Sequence, residues 1–254
     1  MKLSTHRLDV SIGGKPVCRA LDLAIDSGSR WAILGVNGVG KTTLLTTLAG
    51  LRAPDDGEIR LDGDALAGLM PRERARRLGL MAQEDSFHIS DPETTALEVA
   101  LLGRLPHLDW WRAETAHDVA LAHTALAAVG LPDIASRRAA QLSGGERRRL
   151  ALAALLAQEV PLCLLDEPTS HLDLHQQIAF MDLLVGWNGR TLLMTLHDVN
   201  LAVRYCTHAL LLFGDGAWCA GRVDEMLSAE VLTRLYGHPV IAVRTPGGSA
   251  YLPG

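Results

Sequence analysis

The chain has 254 residues, 48% of them hydrophobic and 21% charged, a balance that offsets the cost of ordering a backbone and excludes a disordered chain. At about 150 residues per domain, the length allows one large domain or a core carrying an insertion. With 24 basic against 29 acidic residues the net charge is −5, so a dedicated nucleic-acid binder, which needs a basic face, is not expected.

Residues 1–10 mix Lys, His, Arg and Asp with single apolar residues and lack a signal peptide's apolar core, which predicts a cytoplasmic protein. No run approaches the roughly 18 apolar residues of a membrane helix, so any membrane role must come through a partner. Residues 31–34 form a short apolar strand ending at Gly35, and residues 41–49 read as a helix stopped by Gly50. Between them Gly35-Val36-Asn37-Gly38-Val39-Gly40-Lys41-Thr42 fits G-x-x-x-x-G-K-[ST] in full. Glycines let such a loop turn its amide N–H groups toward phosphate oxygens, and the helix N-terminus adds its positive dipole end. Lys41 supplies charge for the β- and γ-phosphates, Thr42 a hydroxyl for Mg²⁺, and Thr43 a further donor.

Residues 58–61 read as a strand entering an Asp62-Gly63 turn, and residues 78–81 as another. Arg72, Arg74, Arg76 and Arg77 form a basic run, a solvated helix face or a contact for a membrane partner. From 93 to 157 Ala and Leu recur at helical spacing, with stops at Gly103 and at Gly130-Leu131-Pro132, which predicts a helical insertion at about Ser86 to Gln141. Trp110-Trp111 packs within it or marks its surface. Leu142-Ser143-Gly144-Gly145-Glu146 then opens a helix running through 157. Small residues at a helix start make a second anion site, Ser143 donating and Gly144 and Gly145 allowing close approach. One triphosphate does not need two such sites in one chain; the economical explanation is a head-to-tail homodimer sharing two nucleotides. Residues 162–165 form an apolar strand running into Asp166 and Glu167, the first suited to the water shell of Mg²⁺ and the second to the water attacking the γ-phosphate. A last apolar strand, 191–196, precedes His197. The alternation of strands and helices predicts an α/β fold.

Four widely spaced cysteines without C-x-x-C read as reduced packing thiols, and the histidines, among them His88, His107 and His208, form no compact ligand pattern.

With the LSGGE segment as its specific mark, the sequence resembles the ATP-binding subunits of ABC transporters over nearly its whole length. The resemblance implies a P-loop NTPase (RecA-like) core with an antiparallel β subdomain and a helical insertion, the core and β subdomain being residues 1–85 and 158–254 and the helical part 86–157. It also implies ATP and Mg²⁺ as ligands, membrane permease subunits as partners, and a substrate-binding protein engaged indirectly. By the same resemblance Gln83 senses Mg²⁺ and the partner where the insertion leaves the core, Asp173 is the acid of the loop crossing the dimer interface, and His197 contacts the γ-phosphate. Ile12 stands where relatives often carry an aromatic ring for adenine; a ring supplies roughly 0.5–1.5 kcal/mol beyond area burial, so its loss is expected to weaken nucleotide preference without abolishing binding. Ala154 stands where many relatives place arginine.

Gly103-Arg104-Leu105-Pro106-His107, residues 171–177 and residues 197–202 are similar to segments of importers of iron(III)-siderophores, haem and cobalamin. The chain ends soon after Tyr236-Gly237, leaving no room for the C-terminal regulatory domain of some sugar importers. The implied activity is ATP hydrolysis at the cytoplasmic membrane face, driving uptake of a metal chelate, first an iron(III)-siderophore. A soluble ABC ATPase of iron–sulfur assembly and a non-hydrolysing nucleotide-dependent module are the rival readings.

Overall fold

The computed structural model describes residues 2–83, 91–109, 113–187, 189–245 and 248–254. The expected start of the insertion near Ser86, together with His88 and Trp110-Trp111, lies outside them. In chain order the elements are β1 (Leu3–Ile12), β2 (Lys15–Ile25), β3 (Arg30–Leu34), α1 (Lys41–Leu48), β4 (Asp56–Leu61), β5 (Asp64–Ala65), α2 (Pro71–Ala75), β6 (Leu78–Met81), α3 (Ala96–Leu101), α4 (Ala116–Ala128) and α5 (Gly144–Ala157). There follow β7 (Leu162–Leu165), α6 (Leu174–Val185), β8 (Thr191–Thr195), α7 (Val199–Tyr205), β9 (His208–Leu212), β10 (Trp218–Arg222), α8 (Val223–Met226), α9 (Ala229–Tyr236), β11 (Val240–Thr245) and β12 (Gly248–Pro253). These group into two compact units.

The first unit comprises Met1–Leu69, Leu164–Glu167 and Gly189–Gly254. It holds an antiparallel sheet in the order β2-β1-β4-β5. In β1 and β2 the inward alternation slips at Arg7 and Ala20, whose φ angles are 45° and 46°. Leu3 and Thr5 face inward before the slip and Leu8 and Val10 after it; on β2, Leu21, Leu23 and Ile25 resume the inward row beyond Ala20. Each irregularity is pinned by a carboxylate, Asp22 Oδ1 accepting from the Arg7 N–H at 2.8 Å and Asp9 Oδ1 from the Ala20 N–H at 2.5 Å.

The second sheet of this unit runs β10-β9-β3-β8-β7. β3 is parallel to both neighbours, Ile33 lying opposite Thr195 on β8 and Leu210 on β9. Ala32, Ile33 and Leu34 are fully buried, as a strand covered on both faces requires. Trp31 stacks on His208 with ring centroids 4.6 Å apart, which gives one of the scattered histidines a packing role. Because β3, β8 and β7 are neighbours, the residues that follow them gather at the carboxyl ends of these strands, where the candidate site lies.

The second unit comprises Met70–Cys163 and Pro168–Asn188. Within it β6 lies beside β7, and α3, α4 and α5 pack on one another. Each of these three helices opens with a capping box: Thr95 with Glu98, Thr115 with Asp118, and Ser143 with Glu146. The expected α/β architecture, with an antiparallel sheet and an Ala/Leu-rich helical region, is the one observed.

All four cysteines are free, and burial pushes the Cys18 and Cys206 thiols up to about 12, which leaves them inert as nucleophiles. No helix among the described residues is long and apolar enough to cross a membrane.

Candidate active site

The phosphate loop leaves β3 at Gly35 and enters α1 through Gly40, whose φ is 102°. A Cβ at Gly40 would stand 2.3 Å from Val17 Cγ2, so conformation and space both require glycine. At Gly38 the reason is conformational alone: φ is 77° and an added Cβ would meet nothing within 4 Å. Asn37, Gly38 and Thr42 are exposed, whereas Thr43 is buried.

Lys41 is only 5% exposed. Its Nζ donates to Gly35 O at 2.9 Å and Val36 O at 3.3 Å, bending the ammonium back over the loop. Burial lowers its pKa, while the charges of Glu167 and Asp166 act in the opposite direction and favour the ammonium.

Those two acids follow β7 directly. Asp166, 2% exposed, accepts at Oδ1 a hydrogen bond of 2.6 Å from the Thr195 hydroxyl. The same hydroxyl oxygen accepts the Glu167 N–H at 2.7 Å. Glu167 takes a left-handed backbone, φ 46°, a conformation that costs a non-glycine residue roughly 1–3 kcal/mol. Its Oε1 lies 2.6 Å from His197 Nε2. Thus Lys41, Asp166, Glu167 and His197 gather in the first unit, with Thr195 as the hydroxyl that joins the two acids.

Sequence reasoning missed Thr195. The available signal was a hydroxyl directly after the apolar run Leu192-Leu193-Met194 and two residues before His197. Thr195→Val keeps the shape but strips a buried carboxylate and a backbone N–H of a partner, a loss of about 1–3 kcal/mol. It is expected to lower kcat about tenfold or more in steady-state ATPase assays while leaving ATP titration near the parent value. An unchanged kcat removes Thr195 from the site.

The signature residues belong to the second unit. Ser143 Oγ accepts the Glu146 N–H at 3.3 Å, and Glu146 Oε2 accepts the Ser143 N–H at 2.8 Å. The Ser143 side chain also hydrogen-bonds the Glu146 carboxylate, so the cap engages the serine through both its backbone and its hydroxyl. Arg137 Nη1 holds the other Glu146 oxygen at 3.0 Å, and the Ser143 backbone bond is the first cause of the lowered Glu146 pKa. An added Cβ on Gly144 would meet nothing within 4 Å; one on Gly145 would stand 3.7 Å from the Gln176 amide. Asp173 is the N-cap of α6, its Oδ1 accepting the Gln176 N–H at 2.8 Å.

Gln83 lies in an exposed bend of the second unit. Its carbonyl accepts from Arg148 Nη1 at 2.7 Å, and Arg148 Nε reaches Pro168 O at 3.2 Å. Arg148, buried on α5, is a second positioning group that the sequence did not reveal.

Ile12 is 46% exposed at the end of β1 and offers no ring. Among the described residues no group of three or more His, Cys, Asp or Glu is disposed to hold a metal ion. One hydroxyl, Thr42, and one buried carboxylate, Asp166, suit instead a Mg²⁺ ion that takes its remaining ligands from phosphate and water.

The family model described as "ABC transporter" matches residues 18–170. The hemin import ATP-binding protein of Myxococcus xanthus is 40% identical, the match covering 97% of this chain and 94% of that protein. The ferric enterobactin transport ATP-binding protein of Escherichia coli is 36% identical, over 96% of this chain and 90% of its own. An inward-facing structure described as a metal-chelate type ABC transporter superposes with a TM-score of 0.85 at 29% identity, covering 99% of this chain and 96% of that one. The chain belongs to the ABC transporter family, as one of its ATPase subunits.

Proposed function

We propose that this chain hydrolyses ATP to drive uptake of a metal chelate, an iron(III)-siderophore first, through a separate membrane permease at the cytoplasmic membrane face. The observation that carries this reading is likeness over nearly the full length to import ATP-binding proteins, joined to a site with phosphate loop, paired acids and histidine. Haemin is the second reading, favoured by the 40% identical Myxococcus protein.

In the proposed cycle two copies meet head to tail. Asn37, Gly38, Gly40, Lys41 and Thr43 bind the phosphates of a nucleotide within one copy, and Ser143, Gly144 and Gly145 of the other complete its surroundings. Glu167 accepts the proton of the attacking water at its carboxylate. His197 steers that carboxylate by the 2.6 Å contact and reaches toward the γ-phosphate. Asp173 stands at the crossing loop, and Gln83 reports partner contact. Thr42 and Asp166, with Gln83, would hold Mg²⁺, which when bound neutralises developing phosphate charge. Loss of the phosphate bridge reopens the pair.

The test is uptake into vesicles by the chain reconstituted with its permease and binding protein. ATP-dependent accumulation of ferric siderophore is expected. Accumulation of haemin alone selects the second reading, and co-purification with a soluble scaffold in place of a membrane protein overturns both.

A further inference from the structure

Gly103-Arg104-Leu105-Pro106-His107 has no part in the chemistry described so far. The segment forms a 3-10 turn, Leu102–His107, within the second unit, pressed against the C-terminal end of α5. A Cβ on Gly103 would stand 2.0 Å from Ala154 O, so only glycine lets the turn touch the helix.

Arg104 is 4% exposed. Its Nε donates to Asp118 Oδ1 at 3.0 Å, and its Nη1 donates to Ala157 O at 2.6 Å and to Glu159 Oε2 at 2.8 Å. His107 Nε2 lies 2.9 Å from Gln158 O, the next carbonyl along. Two side chains therefore serve carbonyls at a helix end where intrahelical partners run out and where a cation suits the dipole.

Asp118 in turn closes the capping box of α4. The Thr115 hydroxyl, against the effect of burial and with help from the Thr115 N–H and Arg104, holds its carboxyl down to about 2. Arg104 thus ties the C-terminal end of α5 to the N-terminal end of α4. From the other side, Arg72 Nε at 2.9 Å and Arg76 Nε at 2.7 Å both donate to Pro106 O, which gives part of the basic run a structural task.

An apolar seam alone would hold α5 in place, and Leu150, Leu152, Ala153 and Leu155 provide one. Such a seam tolerates sliding and rotation, whereas a planar guanidinium with three fixed partners does not. α5 has 14 residues, about 21 Å at 1.5 Å per residue, with Ser143 at its opposite end. A change of tilt at the Arg104 end is carried along this rod to the signature.

We propose that Arg104 is a positioning residue for the ATPase reaction: by locking the far end of α5 it sets where Ser143 stands, and so how well the signature completes the nucleotide site of a second copy. The proposal rests on the reading that the signature acts in the partner copy.

The test compares Glu167→Gln with Glu167→Gln carrying Arg104→Lys, which keeps the charge and loses the fork. Both are examined by ATP titration, by sedimentation with saturating MgATP, and by thermal unfolding. ATP affinity of the separate copies is expected to stay within about twofold, because Lys41 is untouched, while the dimer weakens about tenfold, within the range of couplings in one hydrogen-bond network. In the wild-type background, Arg104→Lys is expected to need about tenfold more protein for half-maximal ATPase rate and to reach the parent's plateau.

A purely structural role lowers the melting temperature and leaves the dimer constant alone; that result overturns the proposal. If Arg104→Lys fails to fold, Asp118→Asn, which leaves Arg104 its other partners, is measured by the same criteria. A Glu167→Gln parent that itself stays monomeric overturns the shared-site reading, and this inference with it. A parent that dimerises alongside an equally dimeric Arg104→Lys overturns this inference alone.

Discussion

Glu167→Gln is expected to lower kcat by about 10²–10⁴-fold, the usual contribution of a positioned general base, while ATP still binds and draws two copies into a stable pair. The amide keeps the volume of the carboxylate and a hydrogen-bonding oxygen for His197, so the 2.6 Å contact has a substitute. What is lost is the capacity to take a proton. The substitution also leaves the Asp166–Thr195 bond and the Lys41 loop intact, so nucleotide affinity should be preserved or improved as one negative charge leaves the site. Sedimentation with MgATP should show a dimer that persists, against a wild-type dimer that decays as ATP is consumed. A purified variant that turns over at the wild-type rate removes Glu167 from the role of base.

Lys41→Ala is expected to weaken ATP binding by about 10²-fold or more. A charged hydrogen bond contributes roughly 1.5–3 kcal/mol, and here the loss is compounded because Asp166 and Glu167, the two charges that favour the ammonium, would face a triphosphate without that ammonium to offset them. Calorimetric titration of ATP into the variant gives the answer directly. Thermal unfolding without nucleotide serves as the control, since Lys41 also donates to two carbonyls of its own loop. Unchanged affinity would mean that the loop backbone alone holds the phosphates.

Groups contiguous along the chain were legible in the sequence. The phosphate loop, the acids closing β7 and the glycines opening α5 announce themselves because each does its work through its own local turn or helix end. Thr195 did not, because its value arises only where β8 places a hydroxyl beside the end of β7. β1 and β2 were not assigned from their pattern, because the slips at Arg7 and Ala20 break the period-two signal that identifies a half-buried strand. The Gly103–His107 segment drew attention only by likeness, since its partners, Asp118, Ala157 and Glu159, lie 14 to 55 positions away. Arg148 escaped for the same reason, its acceptors being Gln83 and Pro168.

The Ser143–Glu146 capping box means that the end of α5 is built before any nucleotide reaches it. In the proposed head-to-tail pair, capture by that end would incur no melting or refolding of backbone, and the entropy lost at closure would be mainly that of bringing two preformed surfaces into register. Under that proposal each round of engagement and release would proceed at the pace of docking, because the helix terminus is already formed.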